Sequence, residues 1–220
     1  RRLISAWNST LIDSTPGVNK AWETFAMDYD FDPIEVAHAT HGRRLYDTLK
    51  EYCHLNEEDK LQLAHETTHR WTIVTSGILS FVFSDGVGSA KLHLPLLDLH
   101  SASNIYAPKA LKKCSIPIPP AGYVTANDVP NGKPHPDPYL AGARKCGVDA
   151  TKCLVVEDAP SGIRAGHTAG ARTLAVCTSH SRKVIIDSGA NPDYIVNDLT
   201  KVSARWVDGK VEVSIDERED

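Results

Sequence analysis

Two adjacent carboxylates, Glu157 and Asp158, follow the apolar run Cys153-Leu154-Val155-Val156 and precede the small residues Ala159-Pro160-Ser161-Gly162. Like charges side by side raise each other's proton affinity, so a fold that keeps them together usually offers a cation. Oxygen donors at the tip of a strand suit a hard ion such as Mg²⁺. Upstream, Asn131-Gly132-Lys133-Pro134-His135-Pro136-Asp137-Pro138-Tyr139 puts one lysine in a loop stiffened by three prolines. Proline fixes φ and removes a donor, so this segment is neither a central strand nor a helix interior. A rigid loop of this kind can hold an ammonium against a phosphate oxygen. Further upstream, Trp71-Thr72-Ile73-Val74 delivers two hydroxyls, Thr75 and Ser76, to Gly77. Each feature also has a plain reading, as a solvated acidic turn, a solvated lysine or an ordinary strand end.

Taken in order, a hydroxyl, a lysine and an acidic pair, each at a strand end, resemble the haloacid dehalogenase (HAD) superfamily of phosphatases. Thr75 matches that family's phosphate-binding Ser/Thr, and Lys133 its lysine in the pattern K-P-x-P-x-x-Y. Glu157 and Asp158 match its acidic metal motif. Residues 10–25 and 121–178 are most similar to small sugar-phosphate and polyol-phosphate phosphatases of the 2-deoxyglucose-6-phosphate and glycerol-phosphate type. The resemblance implies an α/β fold, a parallel-sheet Rossmann-like HAD core with an inserted small helical cap. It also implies Mg²⁺ as cofactor, held by Asp158, Glu157 and the backbone carbonyl of Asn8. A small phosphorylated sugar or polyol would be bound by Thr75, Ser76 and Lys133, with His41 and Arg44 of His41-Gly42-Arg43-Arg44 reading it from the cap. For that last turn a solvated basic loop is an equally weighted reading.

The sequence departs from the family in two places. The family's first motif, D-x-D-G-T, carries a nucleophilic Asp and an acid–base Asp, and intact relatives work through an aspartyl phosphate. Here its five positions read Ala6-Trp7-Asn8-Ser9-Thr10. A methyl group cannot attack phosphorus, and an amide cannot shuttle a proton near neutral pH. The chain is therefore expected to be catalytically impaired, with Thr75 and Lys133 the remaining catalytic positions. A non-catalytic protein that still binds phosphate esters is the alternative. The second departure is residues 78–102, an insert that contains Asp85, Lys91 and Asp98 and so is no membrane span. It reads as a lid, a disordered loop or non-coding sequence read through, as residues 1–8 also do, and is expected to contribute no strand to the sheet.

These residues need elements to hold them. Strands are expected over 3–12, 71–76, 122–125, 153–157, 172–177 and 194–196, with helices between most of them, which argues for a parallel sheet. Helical patterns start at Thr15, with Pro16 in the first turn, and recur over 33–39, 43–52 and 57–70. The expected division is a core of residues 1–15 and 70–220 and a helical cap of 16–69. Asp208-Gly209 between two alternating runs reads as a hairpin turn. The charged fraction of 24% and the net charge of −4 show no basic face for nucleic acid. Five scattered cysteines, in no C-x-x-C pair, suggest free thiols in a reducing compartment, so a cytoplasmic monomer is expected. His65-Glu66-Thr67-Thr68-His69 matches the zinc-peptidase pattern H-E-x-x-H. It lacks the downstream Gly and His, or a close glutamate, and reads as the polar face of an exposed helix.

Overall fold

The computed structural model describes residues 2–6, 12–13, 15–56, 58, 77–78, 96–99, 103–113, 118, 121–208 and 210–216. Its centre is a six-stranded, all-parallel sheet in the order β5-β4-β1-β6-β7-β8. These strands are β1 (Arg2–Ala6), β4 (Leu96–Leu99), β5 (Tyr123–Thr125), β6 (Cys153–Glu157), β7 (Arg172–Val176) and β8 (Tyr194–Val196). Two further pairs are antiparallel: β2 (Ile12–Asp13) with β3 (Gly77–Ile78), and β9 (Val202–Val207) with β10 (Lys210–Ile215). The last pair is the hairpin that Asp208-Gly209 announces. Asp208 sits at φ 49°, a left-handed value that a tight turn demands and that Asp tolerates.

β6 shows how the core is made. All five of its residues are buried, as expected for a parallel strand covered on both faces. Side chains alternate with period two. Cys153 and Val155 join a cluster with Tyr139, Ala143, Ala165 and Ala169, which lies on the side of α5 (Asp137–Lys145) and α6 (Pro160–Thr168). Leu154 and Val156 join Leu174, Val176, Val196, Leu199 and Val202 on the other face. α4 (Tyr106–Lys113) and α7 (Arg182–Asp187) complete the helices that follow the strands.

The N-terminal helices have a separate core. α1 (Thr15–Phe25), α2 (Pro33–Thr40) and α3 (Leu45–Tyr52) surround Trp22, which meets Phe25, Phe31 and Tyr52 edge-on at 5.9, 5.7 and 6.3 Å. Edge-to-face contacts of this kind exploit the ring quadrupole and add to simple burial. α2 begins where Asp32 accepts hydrogen bonds from the amides of Ile34 and Glu35 and Pro33 takes the first position.

Two expectations are changed, and one lies outside the described residues. The first strand stops at Ala6 instead of continuing to residue 12, and Ile12–Asp13 pairs elsewhere. The expected strand 71–76 and helix 57–70 lie outside the described residues, apart from Glu58. The insert 78–102 does contribute to the sheet: β4 lies between β1 and β5, with Ile4, Ser5 and Ala6 opposite Leu96, Leu97 and Asp98. The physical reason is that a strand flanked on both sides needs a short apolar run, and Leu96-Leu97-Asp98-Leu99 provides one. Among the described residues no helix is long and apolar enough to cross a membrane.

The occupant of the place beside β1 can be tested with proline, which removes a ladder donor and is not tolerated in a central strand. Leu97→Pro is expected to abolish the cooperative thermal transition seen by circular dichroism, and Val74→Pro to leave it in place. The opposite result would give that place to residues 71–76.

Candidate active site

The C-terminal ends of the parallel strands gather the polar groups, as open α/β sheets do. Glu157 closes β6 on the same side as Val155, toward α5 and α6. There its Oε1 accepts from Lys133 Nζ at 2.6 Å and from the Tyr139 hydroxyl at 2.6 Å. Its Oε2 accepts from the amides of Asp158 and Ala159 at 3.0 and 3.2 Å. Both partners of the ion pair are buried, with side-chain exposures of 2% for Lys133 and 1% for Glu157. The lysine also lies 5.4 Å from the centre of the Tyr139 ring, within cation–π range. Tyr139 sits on the first turn of α5, which starts as soon as the proline-rich loop ends, so the loop and the helix deliver both donors to one carboxylate. α6 comes close from the other side. A Cβ at Gly162 would overlap the Glu157 carboxylate, so only glycine fits there.

Asp158 turns the other way. The alternation that sends Glu157 toward the helices separates the two acids, which face different partners. Asp158 Oδ2 accepts from His41 Nε2 at 3.1 Å and from the Ser179 hydroxyl. Its carbonyl oxygen accepts from His180 Nδ1 at 3.1 Å, and the His41 and His180 rings stack edge-to-face at 5.4 Å. Burial by itself lowers the pKa of His41, but the hydrogen bond to Asp158 and that group's charge outweigh it and raise the pKa. Burial likewise raises that of Asp158, and the bond and charge of His41, the Ser179 hydroxyl and Lys133 bring it below the usual carboxylate value. His180 is lowered by burial and by the neighbouring His41.

His41 reaches Asp158 because the turn after α2 lies directly on the start of α6. Gly42 has φ +75°, and a Cβ there would come within 2.7 Å of Ala159 Cβ. The Ser161 hydroxyl donates to the His41 carbonyl at 3.3 Å. Arg44, expected to read a substrate, is held by protein groups. Its guanidinium holds Asp47 at 3.0 Å, and Nη1 donates to the carbonyls of Val129 and Pro130 at 3.4 and 3.3 Å. With Lys50 and Asn127 it lines a cleft of about 270 Å³ between α3 and the end of β5.

Residues 130–202 match the family model described as HAD-hydrolase-like. Over 174 residues the sequence is 33% identical to hexitol phosphatase A of Escherichia coli, covering 77% of this chain and 79% of that one. The chain belongs to the HAD-like hydrolases. It is also 29% identical, over 239 aligned positions, to 2-deoxyglucose-6-phosphate phosphatase 1 of Saccharomyces cerevisiae, covering 89% of this chain and 87% of that one. A hydrolase from Pseudomonas syringae superposes with a TM-score of 0.73 at 20% identity, over 90% of this chain and 93% of that one. The HAD fold is thus present.

Of the site residues expected from sequence, the HAD fold brings Lys133, Glu157, Asp158 and His41 together and sets Arg44 at the cleft. Thr75, Ser76, Asn8 and the H-E-x-x-H segment 65–69 lie outside the described residues. Ala6 is the last residue of β1, between β4 and β6. The expected ligand set for Mg²⁺ does not fit. Glu157 has both oxygens committed to four donors, Ala6 has no carboxylate, and Asp158 is already held by His41 and Ser179. Among the described residues no group of three or more His, Cys, Asp or Glu side chains could hold a metal ion. Sequence reasoning missed Tyr139 as the second donor to Glu157, and it missed Ser179 and His180. The signal for the latter was the polar run Thr178-Ser179-His180-Ser181 directly after a buried strand. Thr178 Oγ1, in that run, is buried without a hydrogen-bond partner among the described residues.

Two measurements check this account. Breaking a buried ion pair leaves an uncompensated charge, so Lys133→Ala is expected to cost about 3–5 kcal/mol in urea unfolding. Gly162→Ala, which drives a methyl into the same carboxylate, should cost about 1–3 kcal/mol as overpacking does. A cost within ±0.5 kcal/mol for both, the range of ordinary surface changes, would contradict the geometry. The second concerns pH. The stabilisation from His41, whose folded pKa is raised, is complete below its ordinary 6.5 and disappears as pH rises through the folded value. The stabilisation from Asp158, whose pKa is lowered, is complete above its ordinary 3.8 and disappears on acidification. In EDTA the melting temperature should therefore fall as pH is raised above 6.5, and His41→Gln should flatten that fall. An unchanged profile in the variant would remove His41 as its source.

Proposed function

We propose that this chain is a phosphate-monoester-binding member of the sugar and polyol phosphatases whose hydrolytic step is impaired. One observation carries the reading: β1, the strand beside β6 and its Lys133–Glu157–Asp158 cluster, ends in Ala6, where the resemblance calls for the nucleophilic carboxylate. The named relatives act on hexitol and 2-deoxyglucose phosphates, and a ligand of that class suits the polar edge described above. In this reading the Lys133 ammonium, held in place by Glu157, neutralises a phosphoryl oxygen. Thr75 and Ser76 are assigned to the phosphate as well, and the buried hydroxyl of Thr178 offers a further donor. The helices of residues 16–69 form the cap in this proposal, and the cleft beside Arg44, Lys50 and Asn127 gives room for the hydroxylated part of the ester. Asn8 at the acid position cannot protonate a leaving oxygen, so binding without turnover follows.

Phosphate release from hexitol phosphate and 2-deoxyglucose 6-phosphate, with Mg²⁺ present, tests this directly. The chain should show no release above background, and the triple variant Ala6→Asp/Asn8→Asp/Ser9→Gly should show turnover. Loss of a covalent nucleophile costs on the order of 10⁶ in rate in a serine protease, which sets the expected gap. Calorimetry should show the unaltered chain binding the same esters, and Lys133→Met should weaken that binding. Turnover by the unaltered chain that Asp158→Ala abolishes would overturn the impairment.

A further inference from the structure

The loop that carries Lys133 to Glu157 is pinned at several points along its length. At its start Thr125 donates through its amide and its hydroxyl to Asp128 Oδ2, both at 2.7 Å. The Asn104 amide donates to Asn127 Oδ1 at 3.0 Å. At its end the His135 amide donates to the Gly132 carbonyl at 2.9 Å, and Asn131 Nδ2 to Asp137 Oδ1 at 3.3 Å. Between these ties stand the carbonyls of Val129 and Pro130, which accept from Arg44 Nη1 at 3.4 and 3.3 Å. Arg44 is the residue before α3, so this contact joins the helical layer to the middle of the loop.

The arginine is aimed by its own neighbour. Nε and Nη2 each lie 3.0 Å from an oxygen of Asp47, on the first turn of α3. A bidentate pair of that kind fixes the plane of a guanidinium, and it leaves Nη1 turned away from Asp47 and toward the loop. With these bonds made, the side chain has little left to offer a ligand. Lys133 follows Pro130 closely, and prolines at 130, 134 and 136 restrict φ around it. A shift of the two carbonyls is therefore passed on to the lysine instead of being absorbed by the chain. We infer that Arg44, aimed by Asp47, is a positioning residue for Lys133, and that it couples the place of the helical layer to the place of the ammonium at the sheet edge. The inference rests on the reading of Lys133 as the cation that meets a phosphoryl oxygen. It separates Arg44 from a reader of the ligand's organic part, because a positioning residue acts on the phosphate end whatever is attached to it.

Hydrogen exchange followed by NMR on the full chain, without ligand, tests the coupling. The amide of His135 reports on the loop, and that of Ile163, bonded to the Ala159 carbonyl inside α6, serves as the reference. In Arg44→Ala the exchange of His135 should rise about tenfold relative to Ile163, the order expected for one hydrogen bond to a charged group. Asp47→Ala keeps the arginine but frees its fork, and should move His135 in the same direction; it serves alone if Arg44→Ala does not fold. An unchanged ratio in the variants that fold means that Arg44 only adds stability or nothing, and overturns the inference. Calorimetry with inorganic phosphate and with hexitol phosphate then tests the consequence. The same variants should weaken both ligands by the same factor, as a displaced Lys133 requires. Weakening of the hexitol ester alone would make Arg44 a reader of the organic part, and phosphate binding that Lys133→Met weakens but Arg44→Ala does not would also overturn the positioning role. If the unaltered chain binds neither ligand, the reading of Lys133 fails, and this role for Arg44 fails with it.

Discussion

An ammonium and a carboxylate packed in the interior with almost no exposure constrain everything around them. Burying either alone would cost several kcal/mol, so each exists there only because the other is in place. Lys133 comes from a proline-stiffened loop, Glu157 from the end of a strand, Tyr139 from the helix after the loop, and two amides from the turn that follows. Four segments of backbone are thereby placed to within hydrogen-bond tolerance. Gly162 shows how close the last helix must come, since no other side chain leaves room for the carboxylate.

With Glu157 consumed by that arrangement, Asp158 is left to find its own partners. It finds them in two elements that are far apart in sequence, the turn after α2 and the loop after β7. The helical layer is therefore joined to the sheet edge through the same acid that the family resemblance assigns to a cation. Arg44 adds a second attachment, because its guanidinium bridges Asp47 and the carbonyls of Val129 and Pro130, only a few residues before Lys133. Both basic residues expected to read a substrate are, in this conformation, reading the protein.

β1 is central, flanked by β4 and β6, and its last residue stands at the edge where the polar groups converge. The family resemblance puts a nucleophilic carboxylate at that position, and this chain has alanine there.

Much of the fold was legible from residue patterns. The apolar run of β6, the alternating halves of the terminal hairpin with Asp208-Gly209 between them, the helical pattern from Pro33 and the positions of strands β5 to β8 along the chain follow from local rules of side-chain period and backbone preference. Lys133, Glu157 and Asp158 stood out because charged residues at strand ends and in rigid loops are rarely idle. Their partners did not stand out. That Glu157 and Asp158 face apart, that Tyr139 joins Lys133 on Glu157, and that His41 and Ser179 meet at Asp158 depend on which elements the sheet brings side by side. The place beside β1 is the clearest case. Two apolar runs, 71–76 and Leu96–Leu99, satisfy the same short pattern, and local sequence cannot rank them. Strand pairing is a contact between distant segments, so only the assembled sheet, with Ile4, Ser5 and Ala6 in register with Leu96, Leu97 and Asp98, decides it.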